Sequence, residues 1–131
     1  LEPYLVASAV EGVMAQRLVR TICENCKEPY QPEPGSLPQD AKIPADAVLY
    51  RGKGCRECRH TGLRGRVGIF ELVTFSATIR ESISDRATAD KLLKIGRREG
   101  MRTLREDGWL KVQAGLTEPD EVMRVTGIGP R

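Results

Sequence analysis

The chain has 131 residues, 21 of them basic and 18 acidic, with aromatic residues at 5% and charged residues at 30%. That length holds one domain, or one domain with a small appended knuckle, and its core must come mostly from Val, Leu, Ile and Ala. A formal net charge of +3 is too weak to imply nucleic acid by itself, and no apolar run is long enough to span a membrane as a helix.

The opening LEPYLVASAVEGVMAQRLVR is apolar but interrupted by Glu2, Glu11, Gln16 and Arg17, which the central region of a signal peptide would not tolerate. No Met opens the chain, so Leu1 reads as a point inside a longer protein, and the first helix as one parted from neighbours it packs against. Val6, Val10, Met14, Leu18 and Ile22 recur every fourth residue, widened by Leu5, Ala9 and Val13. This predicts a largely buried amphipathic helix from Pro3 to Ile22, with Pro3 in its first turn. Pro29, Pro32, Pro34 and Pro38, with Gly35, then predict a loop over Lys27 to Gln39. The stretches AVLYRG (47–52) and RVGIFELVTF (66–75) have the Val, Ile, Phe and Tyr content of short strands.

From Ser76 onward the chain reads as three or four short helices. Thr78 with Glu81, Thr103 with Glu106, and Thr117 with Asp120 set a hydroxyl residue three before a carboxylate, the capping-box spacing or a close variant. Met101, Leu104, Gly108 and Val112 share one face of the third helix, which Gly100 and Gly115 bracket.

All four cysteines lie in two CxxC pairs, Cys23 with Cys26 and Cys55 with Cys58, 28 residues apart. Two such turns can complete a tetrahedron of thiolates, the closed coordination of a structural zinc site, with no open position for catalysis. The long spacer adds little, because loop-closure entropy grows only logarithmically. Thiol redox chemistry, inert cysteines and an iron-sulfur species are the alternatives. Paired CxxC motifs without other cysteines suit a metal site in a reducing cytoplasm better than a disulfide scaffold. His60 is a fifth ligand in principle, but four sulfurs already close the site, so it reads as a polar residue beside the knuckle.

Arg51, Lys53, Arg56, Arg59, Arg64 and Arg66 can line a phosphate surface. Aromatic residues for stacking are nearly absent there, which favours a solvated or protein-contacting face. The GKG at 52–54 lacks the spacing of a phosphate loop, and a single histidine without a paired nucleophile makes no triad. The chain by itself displays no active site.

Three stretches, LEPYLVASAVEGVMAQRLVRTICENC, YRGKGCRECRHTGLRGRVGIFELV and GMRTLREDGWLKVQAGLTEPDEVMRVTG, resemble in this order the C-terminal part of the type II secretion and type IV pilus assembly ATPases. The similarity covers nearly the whole chain and is weakest from Gln31 to Val48. It implies a cytoplasmic hexameric motor with a RecA-like core, in which ATP and Mg2+ bind upstream of this segment. It also implies partners: neighbouring subunits, the inner-membrane platform and the cytoplasmic-domain proteins of the machine, with the membrane reached only through them. Cys23, Cys26, Cys55 and Cys58 match the family's zinc motif, which retraction motors of the superfamily generally lack. The QRLVR segment matches the family's helix beside the nucleotide-bearing core, which brings Gln16, Arg17 and Arg20 toward nucleotide or a neighbouring subunit.

The resulting expectation is an α+β fold forming the C-terminal part of a RecA-like motor domain. It comprises a buried N-terminal helix (1–22), a tetracysteine zinc knuckle with a short β-hairpin (23–75) and a small bundle of three or four helices (76–131). An independent tetracysteine zinc module that binds nucleic acid is the competing reading.

Overall fold

The amino-terminal segment folds as a short helix, α1 (Pro3–Ala9), and then as a long strand, β1 (Gly12–Ile22), in a computed structural model that describes residues 2–127. The expected helix from Pro3 to Ile22 is therefore corrected. A spacing of four is also twice the strand period, so Met14, Leu18 and Ile22 can equally share a strand face. Gly12 and the β-branched Val13, Val19, Thr21 and Ile22 favour the strand, and pairing with β4 fixes it. Nor is the segment largely buried: Tyr4 and Met14 are each 61% exposed and Leu18 46%, while Ala7, Val19 and Ile22 are buried.

Five helices and two two-stranded sheets make an α+β fold among the described residues. After β1 come β2 (Lys27–Tyr30), a 3-10 turn (Gln39–Ala41), β3 (Leu49–Gly52) and β4 (Leu63–Thr74). The helices α2 (Ala77–Ser84), α3 (Ala89–Arg98), α4 (Leu104–Gln113) and α5 (Pro119–Thr126) follow. β1 pairs with β4, and β2 runs antiparallel to β3 with Lys27 opposite Gly52 and Tyr30 opposite Leu49. Part of the stretch expected as loop is thus strand, and Pro29 sits in β2 opposite Tyr50. Both strands of a two-stranded sheet are edges, so a residue without an N–H is tolerated there.

The chain divides into two compact units, Leu1–Ala15 with Phe70–Thr103, and Gln16–Ile69 with Leu104–Arg131. The four helices after Ser76 accordingly form two pairs, α2 with α3 and α4 with α5, instead of one bundle.

In the first unit Arg80 holds α1 in place. Its guanidinium donates to the Ala7 carbonyl, lies 3.3 Å from the Glu11 carboxylate and covers the Phe75 ring. Ser76 caps α2 by accepting from the Ile79 amide at 3.2 Å, and Thr88 caps α3 through the Lys91 amide at 3.3 Å. The cap expected at Thr78 therefore falls two residues earlier.

In the second unit the core gathers Ala41, Leu49, Trp109, Val112 and Val122, with Tyr30, Leu37, Ile43 and Met123 against it. The single tryptophan is part of it, and its indole N–H donates to Asp40 at 3.1 Å. Asp40 also accepts from Arg105, a guanidinium 1% exposed that further reaches the Gly127 carbonyl. Arg105 holds the carboxyl of Asp40 below its usual range, against the cost of burial. α4 begins at Leu104, directly after Thr103, as the spacing predicts. α5 instead begins with Glu118 as its N-cap and Pro119 inside it, and Thr117 donates to the Arg20 carbonyl at 2.7 Å. Gly108 lies so near Val122 that an added Cβ would stand 2.7 Å from its methyl, which explains a glycine inside a helix.

Candidate metal centre

The end of β1 is fixed to the α4–α5 connection before the first cysteine is reached. The Ile22 amide donates to the Leu116 carbonyl at 2.9 Å, and the Cys23 amide to the Gly62 carbonyl at 3.0 Å. On the other side Lys53 donates to the Cys26 carbonyl at 3.1 Å, and the Gly52 amide to Glu118 at 3.0 Å. These bonds bring the two CxxC turns face to face. Gly52 and Gly62 make the approach possible: an added Cβ on Gly52 would lie 1.9 Å from the Gly62 carbonyl oxygen, and Gly62 has φ +79°.

The four Sγ atoms lie within 4.8 Å of one another and can hold a metal ion. Three separations are decisive: Cys23 to Cys55 is 3.8 Å, Cys26 to Cys58 is 3.8 Å and Cys55 to Cys58 is 3.7 Å. A disulfide needs about 2.05 Å. A tetrahedron of sulfurs each about 2.3 Å from a central zinc has edges of about 3.8 Å. The donor set therefore fits a tetrathiolate ion, and Cys23 and Cys58 are buried while Cys26 and Cys55 are half-buried.

Backbone amides point at these sulfurs. Gly54 donates to Cys26 at 3.3 Å, while Cys58 receives the amides of Cys55 at 3.3 Å and Gly62 at 3.2 Å. The side chain of Asn25 donates to Cys55 at 3.2 Å. Burial works against the Cys58 thiolate, yet the Cys55 and Gly62 amides bring its pKa down to about 6. Asn25 lowers that of Cys55. Burial pushes the Cys26 thiol up to about 12 against the Gly54 amide. Four thiolates so close repel one another, and a divalent cation at their centre would favour ionisation of all four.

His60 is exposed and lies outside the cluster. It holds the turn through its backbone, at φ +64° with its amide donating to the Cys55 carbonyl at 2.7 Å. Lys53, Arg56, Arg59 and Arg66 are exposed, whereas Arg51 pairs with Glu28 at 3.1 Å and Arg64 with Glu57 at 3.3 Å.

Gln16, Arg17 and Arg20 lie on β1, a strand where the resemblance implied a helix, and all three are exposed. Arg20 is engaged with Glu121. Its backbone amide and Nη2 reach the carboxylate at 2.8 Å and its Nε at 3.1 Å, while Arg124 grips the same group at 2.9 and 3.1 Å. Burial opposes ionisation of Glu121, but the two guanidiniums bring its pKa to about 2. Sequence reading missed this clasp, because the partners stand 101 residues apart and nothing local marks Glu121. It also missed Asn25; the glycines flanking the second CxxC pair were the available sign of close backbone approach.

Fold and cluster together define an α+β chain whose second unit carries paired cysteine knuckles. A family model described as Type II/IV secretion system protein matches residues 1–124, and the chain belongs to that family. Type II secretion system ATPase E of Vibrio cholerae is 42% identical over 127 residues, which are 96% of this chain and 25% of that protein. Type IV pilus assembly ATPase PilB of Thermus thermophilus is 42% identical over 130 residues, 96% of this chain and 14% of that protein. PilB of Myxococcus xanthus is 35% identical over 127 residues, 94% of this chain and 22% of that protein. The chain thus spans a quarter or less of the length of these relatives. Among the described residues no helix is long and apolar enough to cross a membrane.

Proposed function

We propose that this chain is the zinc-bearing C-terminal region of a hexameric cytoplasmic ATPase that powers type II protein secretion or type IV pilus assembly. In that reading ATP and Mg2+ bind in a RecA-like core elsewhere in the parent protein. Cys23, Cys26, Cys55 and Cys58 are the zinc ligands. The zinc supplies charge and a fixed tetrahedral centre, not a reactive site. The observation that carries the proposal is the set of sulfur separations near a zinc tetrahedron's edge, within a chain whose relatives are secretion and pilus ATPases.

An irregular segment between two small sheets has little core of its own, and a bound zinc contributes folding free energy, on the order of 10 kcal/mol in finger peptides. The knuckle then projects rigidly. It contacts neighbouring subunits or the inner-membrane platform, places the motor at the membrane through protein partners, and passes on the force of the core. Gln16 and Arg17 remain the positions for a nucleotide or subunit contact, while Arg20 holds Glu121.

Replacing both Cys55 and Cys58 by Ser in the parent protein tests this role. Hexamer assembly, and secretion or piliation, are expected to fail together with loss of one zinc per chain. If the variant loses its zinc and both functions persist, the contact role is wrong. If the wild-type chain carries no zinc, the ligand assignment is wrong.

A further inference from the structure

We infer that Asn25 is a positioning residue of the metal centre, whose side-chain amide holds Cys55 in place and sets how tightly the ion is bound. The inference rests on the zinc reading above. Its ground is the way the sulfurs are supplied with donors. Cys26 and Cys58 receive theirs from backbone amides of Gly54, Cys55 and Gly62, which persist whatever side chains stand there. Cys55 receives its donor from a side chain, Asn25 Nδ2 at 3.2 Å. It is therefore the sulfur whose hydrogen bonding a side-chain substitution can remove.

The bond also crosses between the two halves of the site. Asn25 belongs to the first CxxC turn and Cys55 to the second, 30 residues away, so the contact brings Cys55 toward Cys23 and Cys26 without passing through the metal. A thiolate only accepts, so the amide nitrogen faces it and the amide oxygen is turned away. A hydrogen bond to the charged form favours that form. Outer-shell partners of this kind change metal affinity by about 10- to 100-fold when removed. Asn25 is itself exposed, so its replacement leaves the packed core intact.

The test uses the 131-residue chain and the variants N25A, N25D and N25Q. Zinc affinity is read by competition with a chromogenic chelator, and the ligand field by the sulfur-to-metal charge-transfer band of the Co2+-loaded protein. N25A is expected to bind zinc about 10-fold more weakly. N25D loses more, because it sets a carboxylate against the thiolate. N25Q, which keeps the donor, recovers most of the loss. The charge-transfer band moves to lower energy in N25A, since a sulfur relieved of its hydrogen bond gives up charge more readily, while the ligand-field bands stay tetrahedral. With zinc held at a limiting concentration, iodoacetamide labels Cys55 faster in N25A because less of the chain is metal-bound, the sulfur forming a bond to carbon as iodide leaves. If wild type takes one zinc through four thiols and all variants match it within about twofold with unshifted bands, Asn25 has no such role and the zinc reading stands. If wild type takes no zinc, the zinc reading falls and this inference with it.

Discussion

Glu121 shows how a single residue in this fold is decided by charge. It is 3% exposed, yet two half-exposed arginines keep it ionised, with a pKa of about 2 against an ordinary 4.5. A depressed carboxylate stabilises the folded state above its unfolded pKa, and that stability is lost as pH falls through the folded value. E121Q should therefore lower stability by about 2 kcal/mol at neutral pH, the scale of lost hydrogen bonds to charged groups. The gap between variant and wild type should narrow as pH drops from about 4.5 toward about 2. Urea midpoints followed by Trp109 fluorescence across that range would check it; a gap independent of pH would mean the clasp is not the cause. Arg20 illustrates the same scale from the other side. A sequence reader sees an arginine open to nucleotide, and the structure shows one whose guanidinium is already held.

At the scale of elements, backbone approach governs the knuckles. Gly52 closes β3 and Gly62 precedes β4, and their main chains touch where any Cβ would collide with a carbonyl. The atoms met are backbone, which cannot swing aside as the end of a flexible side chain does. G52A should cost about 3 kcal/mol, the upper end of ordinary overpacking, and weaken zinc binding in the same variant. G35A meets open space but strains a side chain through its positive φ, a cost absent at Gly52, and so shows strain without contact. Thermal melts of the zinc-loaded chains measure both, and a G52A chain as stable as wild type would show that contact at Gly52 is not limiting. The turn geometry was partly legible: CxxC spacing announced two knuckles, but not the glycine pair that lets them meet.

For the whole molecule, the zinc reading links metal to fold. If the ligands converge as they do only in the folded chain, zinc binds the native state and stabilises it by mass action. Free zinc at about a thousandfold over its dissociation constant should add about 4 kcal/mol to unfolding, vanishing on chelation. Four thiols should then become reactive together. Denaturant titrations with and without chelator, read by Trp109 and by thiol count, give the answer, and stability indifferent to chelation would separate the cluster from the fold.

The sequence by itself determined the four cysteines and their pairing into two turns, the strands over AVLYRG and RVGIFELVTF, the helices after Ser76 and the family. Each of these is written in local spacing or in a continuous match along the chain. It read the segment from Pro3 to Ile22 as one helix, wrongly, because apolar residues four apart satisfy a helix and a strand alike. Only tertiary structure made Gly12–Ile22 a strand by pairing it with β4, fastened Arg20 to Glu121 and Asp40 to Arg105, and set Asn25 against Cys55. Those contacts join residues 30 to 101 positions apart. No periodicity records such distances; they exist because the chain closes on itself to satisfy buried charge and unpaired donors.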